Sequence, residues 1–421
     1  MWLIYRILTN TIFIVMMPYV IYRFIKDPKE WKERLGIYPE ELKARVNSGS
    51  VIWIHASSVG EVKASRPLIE SLRIVHPGAI FIMSTMTASG QSVASKAKLA
   101  EVVIYFPFDM ARIVRKALEA FKPKLFIAVE TEIWPNFIRQ AGKKGIAMMI
   151  ACGRISPRSF RSYRLFKTFF RKVLAHIDLL SMQTELDARR IAEIGAESRK
   201  IKITGSIKYD LSEDAVSIKK ERVRFNPLHK CIVAGSTHRG EEDIIIDVYK
   251  ELCRDFNALK IIIAPRHINR LNEVAGILKK KNIDFIRWTE ISAVNYENKQ
   301  YAILLDTMGE LFNIYDIADV VFIGGSMVNI GGHNILEPAS MGKAVVFGPY
   351  MENFREIAEL FIKNKAAVQV RDGNELSAVL TGLLKDNGER ERLGKNAVDL
   401  IMANRGAAMR NAELTKGLIK K

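Results

Sequence analysis

The chain has 421 residues, of which 64 are Lys or Arg and 46 are Asp or Glu, so its formal net charge is +18. With 48% hydrophobic residues, the composition excludes general disorder, and the length predicts two or three domains. Three widely separated cysteines, with no CxxC pair and no histidine-rich cluster, argue against a disulfide scaffold or a structural zinc site. The positive charge predicts anionic partners: nucleic acid, an anionic membrane surface or phosphorylated substrates.

The first segment, from Trp2 to Phe24, is almost entirely apolar or aromatic. Its uncharged core, Ile7 to Tyr22, has 16 residues, or about 24 Å of helix against a hydrocarbon thickness of about 30 Å. Basic residues follow at positions 23, 26, 29, 32 and 34, which by the positive-inside rule places the remainder in the cytoplasm. We predict a membrane-anchoring helix over 1–25 that spans the bilayer or lies in its interface; the alternative is a buried helix of a soluble domain.

From residue 51 onwards, short apolar runs alternate with stretches of helix length such as Gly60–Val75 and Ala111–Phe121, a pattern typical of parallel sheets covered by helices. The runs of the first half are Val51–His55, Ile80–Ser84, Val102–Phe106, Leu125–Val129, Ile146–Ile150 and Ile201–Thr204. Those of the second half are Cys231–Ala234, Lys260–Ala264, Tyr301–Leu305, Val320–Ile323 and Ala344–Phe347. The charged segment Leu211–Lys230 is predicted to be a linker.

The pattern predicts an α/β protein with two Rossmann-like, doubly wound domains, 26–212 and 213–421. Such sheets would present the carboxyl ends of their strands to a cleft, where their ligands usually bind. The last segment, from about Asn396 to Lys421, either packs back on the first domain or ends in solvent. Neither GxxxxGK[ST] nor a GxGxxG after the first strand is found, which disfavours a P-loop NTPase and a dinucleotide-binding domain.

Two loops of the first half carry carboxylates at the predicted cleft. Ser58 and Gly60 allow a tight strand-to-helix turn before Glu61, which could take a proton from an acceptor hydroxyl or merely complement the helix dipole. After the fourth run, Glu130 and Glu132 would share one side of an extended chain, so both would face the cleft if the strand geometry continues that far. The alternative for this second pair is two solvated loop carboxylates.

A basic and aromatic stretch follows Arg154. Basic residues (Arg158, Arg161 and others) and aromatic residues over 158–172 are offset so that they occupy opposite faces of a helix. Such a helix suits an anionic membrane surface or an anionic lipid, or packs its aromatic face in the core; no nucleic-acid motif accompanies it. At the end of the first half, Lys208 either steadies developing negative charge or is a solvated linker lysine.

The second half carries four loops with ligand-binding residue types. The first, Gly235-Ser236-Thr237, is a small-residue turn before a helix, whose free N–H groups can hold a phosphate. The second, Pro265-Arg266-His267, offers a guanidinium for bidentate phosphate contact. Met308-Gly309-Glu310 follows the next strand, and the Gly-rich Asn334-Ile335-Leu336-Glu337 segment offers a carboxylate that can accept both hydroxyls of a ribose. Together the loops predict a nucleotide-sugar site.

These motifs together resemble the 3-deoxy-D-manno-octulosonic acid (Kdo) transferases of lipopolysaccharide synthesis, over nearly the whole chain. The residues that carry the resemblance are Ser58-Val59-Gly60-Glu61, Glu130-Thr131-Glu132-Ile133-Trp134-Pro135-Asn136, Gly153-Arg154-Ile155-Ser156, Ala234-Gly235-Ser236-Thr237-His238, Pro265-Arg266-His267, Asp306-Thr307-Met308-Gly309-Glu310, Gly331-Gly332-His333-Asn334 and Glu337-Pro338. The resemblance implies a GT-B glycosyltransferase that uses no metal and no cofactor, with CMP-Kdo as donor and a lipid A precursor (lipid IVA type) as acceptor. It also implies a bacterial inner-membrane protein with its catalytic domains on the cytoplasmic face.

The resemblance further implies roles for individual residues. Glu61 would be the general base, and Glu130 and Lys208 would support the transition state. The predicted donor site comprises Gly235, Ser236, Thr237, Pro265, Arg266, His267, Met308, Gly309, Glu310, Asn334, Ile335, Leu336 and Glu337. The predicted acceptor site comprises Ser58, Gly60, Glu132, Arg154, Arg158 and Arg161.

Two other functions stay open from the sequence. One is another GT-B enzyme, such as a UDP-sugar transferase or epimerase, which CMP and UDP competition would separate from a Kdo transferase. The other is a non-catalytic basic protein that binds membrane or nucleic acid, for which substitution of Glu61 would change no activity.

Overall fold

The computed structural model describes residues 1–46, 49–210, 229–293 and 300–419. The chain divides into two compact units, one formed by residues 1–210 with 405–421 and the other by the described residues of 211–404. The predicted linker therefore lies outside the described residues except for its last two positions, and so does the predicted domain boundary at 212.

The first unit is built on a seven-stranded, fully parallel sheet with the order β3-β2-β1-β4-β5-β6-β7. Its strands are β1 Val51–His55, β2 Ile80–Thr85, β3 Val102–Tyr105, β4 Leu125–Val129, β5 Ala147–Gly153, β6 Leu179–Met182 and β7 Ile201–Ile203. Trp53 packs in the core on one face of the sheet, and its neighbours Ile52 and Ile54 pack in the core on the other. Burial on both faces explains why the central strands of this sheet are mostly apolar, whereas the edge strand β7 is partly exposed and contains Lys202.

Helices cover the two faces of this sheet. They are α1 Trp2–Val15, α2 Met17–Lys26, α3 Pro28–Arg34, α4 Glu40–Ala44, α5 Val59–Ala64, α6 Arg66–Val75, α7 Ala88–Lys96, α8 Ala111–Phe121, α9 Pro135–Lys143, α10 Pro157–Leu165, α11 Lys167–Leu174 and α12 Glu185–Ile194. Two predicted helices are each divided. Pro67 lacks an N–H and ends the helix predicted over Gly60–Val75 at Ser65, and Pro18 similarly separates α1 from α2.

The apolar N-terminal segment is therefore a bent pair of helices and not one helix over 1–25. Among the described residues, no single helix is long and apolar enough to cross a membrane, whereas α1 and α2 together meet the length and composition required, across a bend of 59°.

One side of α1 packs on the first unit. Trp2 meets Phe169 edge to face at 5.2 Å between ring centroids, and the Tyr5 hydroxyl donates a 2.8 Å hydrogen bond to Asp109. Asp109 in turn accepts from the backbone N–H groups of Asn136 and Phe137, at the start of α9. The other side of the pair leaves large apolar side chains exposed: Leu3, Ile4, Ile7, Leu8, Ile14, Val15, Ile21 and Ile25.

The basic and aromatic stretch is likewise two helices, α10 and α11, which part at Phe166. Phe160, Tyr163 and Phe170 pack against the core of the first unit, so the aromatic face is structural as the alternative interpretation held. At the break, however, Leu165 and Phe166 are exposed, with 83% and 55% of their surface accessible.

The second unit contains another seven-stranded, fully parallel sheet, with the order β10-β11-β9-β8-β12-β13-β14. Its strands are β8 Cys231–Thr237, β9 Lys260–Pro265, β10 Phe285–Arg287, β11 Tyr301–Leu304, β12 Val320–Ile323, β13 Ala344–Phe347 and β14 Val368–Gln369. Its helices are α13 Glu241–Leu252, α14 Leu271–Lys280, α15 Leu311–Ile314, α16 Leu336–Ser340, α17 Arg355–Lys363, α18 Gly373–Lys385 and α19 Asn387–Asn404.

The end of the chain returns to the first unit as α20, Ala407–Leu414. The Asp210 carboxylate accepts hydrogen bonds from the backbone N–H groups of Gly406 and Ala408, and the Asn411 amide donates to the Thr204 hydroxyl. The first unit is thus closed by residues from both ends of the described chain.

The predicted α/β class and its two parallel sheets are confirmed, as is every predicted strand. Three strands were missed: β6, β10 and β14. β10 and β14 have only three and two residues, and the four-residue run of β6 is interrupted by Ser181, so none of the three forms a clear apolar run.

Candidate active site

In each sheet the strand order changes direction at one strand, so that the connections on either side of it run towards opposite ends of the sheet. In the first unit β1 lies between β2 and β4, and in the second β8 lies between β9 and β12. Because all these strands are parallel, the loops that follow them leave from the same edge of their sheet. The loops after β1 and β4 carry Glu61 and the Glu130–Glu132 pair, and the loops after β8 and β12 carry the predicted nucleotide site.

Glu61 is held in a fixed position at the start of α5. Ser58 is the N-cap of this helix, and its hydroxyl donates a 2.9 Å hydrogen bond to one carboxylate oxygen of Glu61. The backbone N–H of Ser57 donates a 2.6 Å hydrogen bond to the other oxygen. This is a variant of the capping box, in which the carboxylate satisfies otherwise unpaired N–H groups at a helix start. The capping alternative for Glu61 is therefore observed, and it leaves the predicted chemical role open.

Three carboxylates gather around this position. Burial raises the pKa of the Glu61 carboxyl to about 7; repulsion by Glu130 and Glu132 also raises it, while the hydrogen bonds from Ser57 and Ser58 act in the opposite direction. Burial also raises the pKa of Glu132, with a smaller contribution from Glu130. A carboxylate with a pKa near neutrality is matched to a general base at physiological pH.

Glu130 differs from the prediction in its backbone. Its φ is +60°, so the chain leaves β4 in the left-handed region, and the extended geometry assumed for Glu130 and Glu132 was wrong. Such strain costs on the order of 1 kcal/mol or more for a non-glycine residue and concentrates at functional sites. The turn brings the Glu130 carboxylate to 3.0 Å from the ammonium of Lys208, and both side chains are about one-quarter exposed.

The predicted acceptor residues fall into two groups. Ser58 and Gly60 belong to the Glu61 turn, and the backbone N–H of Arg154 donates to the hydroxyl of Thr131 in the Glu130–Glu132 loop. Arg158 and Arg161 are exposed on α10, and no described contact joins them to the three carboxylates.

In the second unit, a buried carboxylate absent from the predictions organises the site. Glu241 has no exposed surface, and its two oxygens accept four backbone N–H groups, from His238, Gly325, Ser326 and Met327, at 2.6–2.9 Å. It thereby ties the loop after β8 to the loop after β12. In the sequence, Glu241 is one acidic residue among several at the start of a helix, where acidic residues are usually exposed, so its burial could not be predicted.

The small residues after Ala234 are not the helix-start turn that the sequence predicted. Gly235, Ser236 and Thr237 complete β8, with a bulge at Ser236, whose φ is +59°. Gly235 packs against the Tyr315 ring, and the Thr237 hydroxyl donates to the buried Glu242. Three carboxylates occupy the first turn of α13, so the N–H groups of this helix start are unsuited to hold the phosphate as predicted.

The other predicted donor loops lie at the same sheet edge. Pro265 ends β9, and Arg266 and His267 after it are exposed. Met308 is 71% exposed, Gly309 adopts a φ of +88°, and Glu310 accepts a 2.6 Å hydrogen bond from Thr307.

The Gly-rich loop ends in a paired amide and carboxylate. The Asn334 amide donates to Glu337 at 3.1 Å, and its oxygen accepts from the Leu336 N–H. Ile335 and Leu336 have no exposed surface, so the predicted ligand contacts of these two residues are not available in this structure.

Two further residues at this edge were quoted only as parts of motifs. The Nε2 atoms of His238 and His333 lie 2.8 Å apart, although 94 residues separate them along the chain. In the described part of the chain, no group of three or more His, Cys, Asp or Glu side chains has an arrangement suited to a metal ion.

Comparisons with known proteins agree with this architecture. Residues 29–211 match the family model described as 3-deoxy-D-manno-octulosonic-acid transferase (kdotransferase), and residues 233–399 match that of glycosyl transferases group 1. A 3-deoxy-D-manno-octulosonic acid transferase of Haemophilus influenzae is 35% identical over 406 residues, which are 94% of each chain. A bifunctional glycosyltransferase/methyltransferase of Fusobacterium nucleatum is 36% identical over 81% of this chain, which spans 54% of that protein's length.

A solved glycosyltransferase structure from Rickettsia africae is similar with a TM-score of 0.58 and 13% identity, covering 89% of this chain and 100% of the other, and so is alike in fold. The two parallel sheets and these matches define a glycosyltransferase of the GT-B class. Within that class, the chain belongs to the 3-deoxy-D-manno-octulosonic acid (Kdo) transferase family.

Proposed function

We propose that this Kdo transferase moves Kdo from CMP-Kdo to a hydroxyl of a lipid A precursor in lipopolysaccharide synthesis. The observation that carries the proposal is the group Glu61, Glu130, Glu132 and Lys208 at the divergence point of the first sheet, with a carboxyl of pKa about 7 at its centre.

Glu61 acts as the general base in this proposal. Each of its oxygens accepts one hydrogen bond from the protein and keeps a second lone pair, with which it can accept the proton of a sugar hydroxyl. A deprotonated carboxylate near pH 7 removes that proton as the hydroxyl attacks the anomeric carbon.

The Glu130–Lys208 pair supports this step electrostatically. Lys208 neutralises Glu130 at 3.0 Å, which limits the repulsion that Glu130 exerts on Glu61. If Lys208 were absent, Glu61 would hold its own proton more tightly and would be a base only at higher pH.

The donor is assigned to the loops of the second unit. Asn334 and Glu337 present an amide and a carboxylate suited to ribose hydroxyls, and the exposed Arg266 offers a guanidinium for a phosphate. We expect the charge of the leaving CMP to be met by such donors without a divalent ion, which an assay in EDTA tests.

Membrane association is proposed from exposed apolar surface. The outward side of α1 and α2 and the tip formed by Leu165 and Phe166 are apolar, and basic residues of α10 and α11 flank that tip. Such a surface suits an interface of anionic lipids and not nucleic acid. We therefore propose the cytoplasmic face of a bacterial inner membrane as its location.

The test is a transfer assay on the full chain with CMP-Kdo, a lipid A precursor and EDTA, with products weighed by mass spectrometry. Addition of one or more Kdo masses is expected, and Glu61→Gln should abolish it, whereas Glu41→Gln, on the exposed surface of α4, should not. No product, combined with a CMP-dependent rise in melting temperature, would reject the acceptor but retain the donor site. Stabilisation by UDP and not CMP would favour the UDP-sugar alternative.

A further inference from the structure

The His238–His333 contact has the geometry of a hydrogen bond between two imidazoles. The ring planes are within 8° of parallel and the centroids are 5.1 Å apart, yet the two Nε2 atoms are 2.8 Å apart. The rings therefore meet edge to edge through their nitrogens and do not stack face to face. Only one of the two Nε2 atoms can carry a proton in this contact, because two N–H groups would otherwise oppose each other.

Hydrogen bonds of the neighbouring backbone hold the two histidine-bearing loops together. Glu241 accepts from the backbone N–H of His238 and from that of Gly325, and the Gly325 carbonyl accepts from the N–H of Gly332, next to His333. Gly325 has a φ of +69°, and a Cβ there would lie 3.1 Å from the His333 ring. The left-handed backbone conformation favours glycine at this position, and any larger residue would also press on the ring.

The pair can gain one proton without losing its hydrogen bond. When it is neutral, one Nε2 donates and the other accepts, and the accepting ring carries its own proton on Nδ1. A third proton, on the Nδ1 of the donating ring, makes that ring an imidazolium while the Nε2 contact persists. A fourth proton requires the contact to break. The two rings therefore titrate as a unit that takes up one charge readily and a second only with difficulty.

The surroundings oppose that first charge in the absence of an anion. Burial lowers the pKa of His238, and the nearby His267, Arg270 and Arg266 also lower it, while Glu242 acts in the opposite direction. The His267 ring lies perpendicular to that of His238, 5.8 Å away between centroids. The Glu241 carboxylate, which accepts from the backbone N–H of His238, is engaged by four N–H groups. An anion that enters beside Arg266 and Arg270 reduces the opposition and favours protonation of the pair.

We propose that the His238–His333 pair forms part of the phosphate site for the nucleotide and takes up one proton when the phosphate binds. This inference rests on the proposed function, because it assigns the second unit to the CMP donor. In the transfer step the acceptor oxygen forms a bond to the anomeric carbon of Kdo as the C–O bond between that carbon and the phosphate breaks. The electron pair of the broken bond stays on the phosphate oxygen, and the acceptor's hydroxyl proton goes to Glu61. The leaving phosphate gains one negative charge, which the imidazolium of the pair stabilises by a charge-assisted hydrogen bond.

The test is calorimetry of CMP binding to the full chain at several pH values, each in two buffers of different ionisation enthalpy, which counts protons taken up. His333→Gln keeps a hydrogen-bonding side chain but abolishes the charge, and His76→Gln, in the first unit, is the control. The protein should take up roughly half to one more proton per CMP near pH 7 than His333→Gln does. Loss of the imidazolium should weaken CMP binding about tenfold at pH 6 and little at pH 8.5.

Comparison with the variant cancels the proton equilibrium of CMP itself, which is common to both proteins. Cytidine, which lacks the phosphate, should bind the unaltered protein without this uptake, so the inference is testable even if the variant fails to fold. Equal proton uptake by the protein and His333→Gln, or equal uptake with CMP and with cytidine, would overturn the proposed role of the histidine pair. The proposed donor site would be unaffected by either result. No binding of CMP at any pH would overturn the proposed donor site and this inference with it.

Discussion

Replacing Glu61 by Gln should stabilise the protein at alkaline pH while it abolishes transfer. The pKa of Glu61 is about 7 in the folded chain, against 4.5 for an ordinary glutamate. Between these values the folded state binds a proton that the unfolded state does not, so the stability of the protein rises as the pH falls from about 8 towards 4.5. Conversely, above pH 7 the ionised carboxylate opposes folding.

The size of the effect follows from this difference. A shift of about 2.5 pKa units corresponds to about 3 kcal/mol, and screening by the solvent that reaches this carboxyl reduces it to about 2 kcal/mol. The amide of Gln resembles the protonated carboxyl and does not titrate. Glu61→Gln should therefore match the unaltered protein at pH 5 and exceed it by about 2 kcal/mol at pH 8.5, or about 4–8 °C in Tm for a unit of this size.

The assay is thermal unfolding from pH 5 to pH 8.5 for the protein, Glu61→Gln and the surface control Glu41→Gln. Transfer by Glu61→Gln should fall by at least about 100-fold, the ordinary contribution of a general base. Parallel stability profiles for the protein and Glu61→Gln would mean that the folded chain does not perturb this carboxyl. The proposal that the pKa of Glu61 is matched to its role as a general base would then be rejected, even if the variant were inactive.

Three further perturbations test other contacts. In Glu241→Gln only one side-chain oxygen remains to accept the four N–H groups, so the variant should destabilise the second unit by about 2–5 kcal/mol in urea unfolding. The control is Glu359→Gln at an exposed position, and equal unfolding midpoints for the two variants would contradict this expectation. Lys208→Met removes the positive charge beside Glu130 and should move the acidic limb of the pH profile of kcat/KM to higher pH, whereas Lys208→Arg should restore it. An acidic limb that does not move would mean that Lys208 does not affect the pKa of Glu61. Deletion of residues 1–26 should sharply reduce sedimentation with anionic vesicles, and full retention would assign membrane binding to the α10–α11 tip.

The apolar runs were long enough to predict most of the two sheets, because strands buried on both faces are mostly apolar, with polar residues such as His55 and Ser84 near their ends. The proline positions were also visible, but the apolar pattern continues across Pro18 and Pro67, so the two helix breaks were not predicted. Periodicity reports which residues are buried, whereas the break depends on one missing N–H group.

The site was predictable where chemistry follows a strand end and unpredictable where it depends on tertiary contact. Glu61 and the Glu130–Glu132 pair follow β1 and β4 directly, so topology alone brings them to one edge. The left-handed turn at Glu130 and the meeting of His238 with His333 depend on how separate loops pack, and no local pattern encodes them.

The hydrogen bond from Tyr5 to Asp109 affects how a detergent-free form of the enzyme should be engineered. Truncation before α3 would delete Tyr5 and remove one partner of a carboxylate that also holds the first N–H groups of α9, just beyond the Glu130–Glu132 loop. Kinetics of such a shortened enzyme would then reflect both the proposed loss of membrane binding and a disturbed Glu130–Glu132 loop. Substitution of polar residues for Leu3, Ile4 and Ile7 would change only the outward side of α1. The contacts of Trp2 and Tyr5 would be retained, so the two effects would be separated.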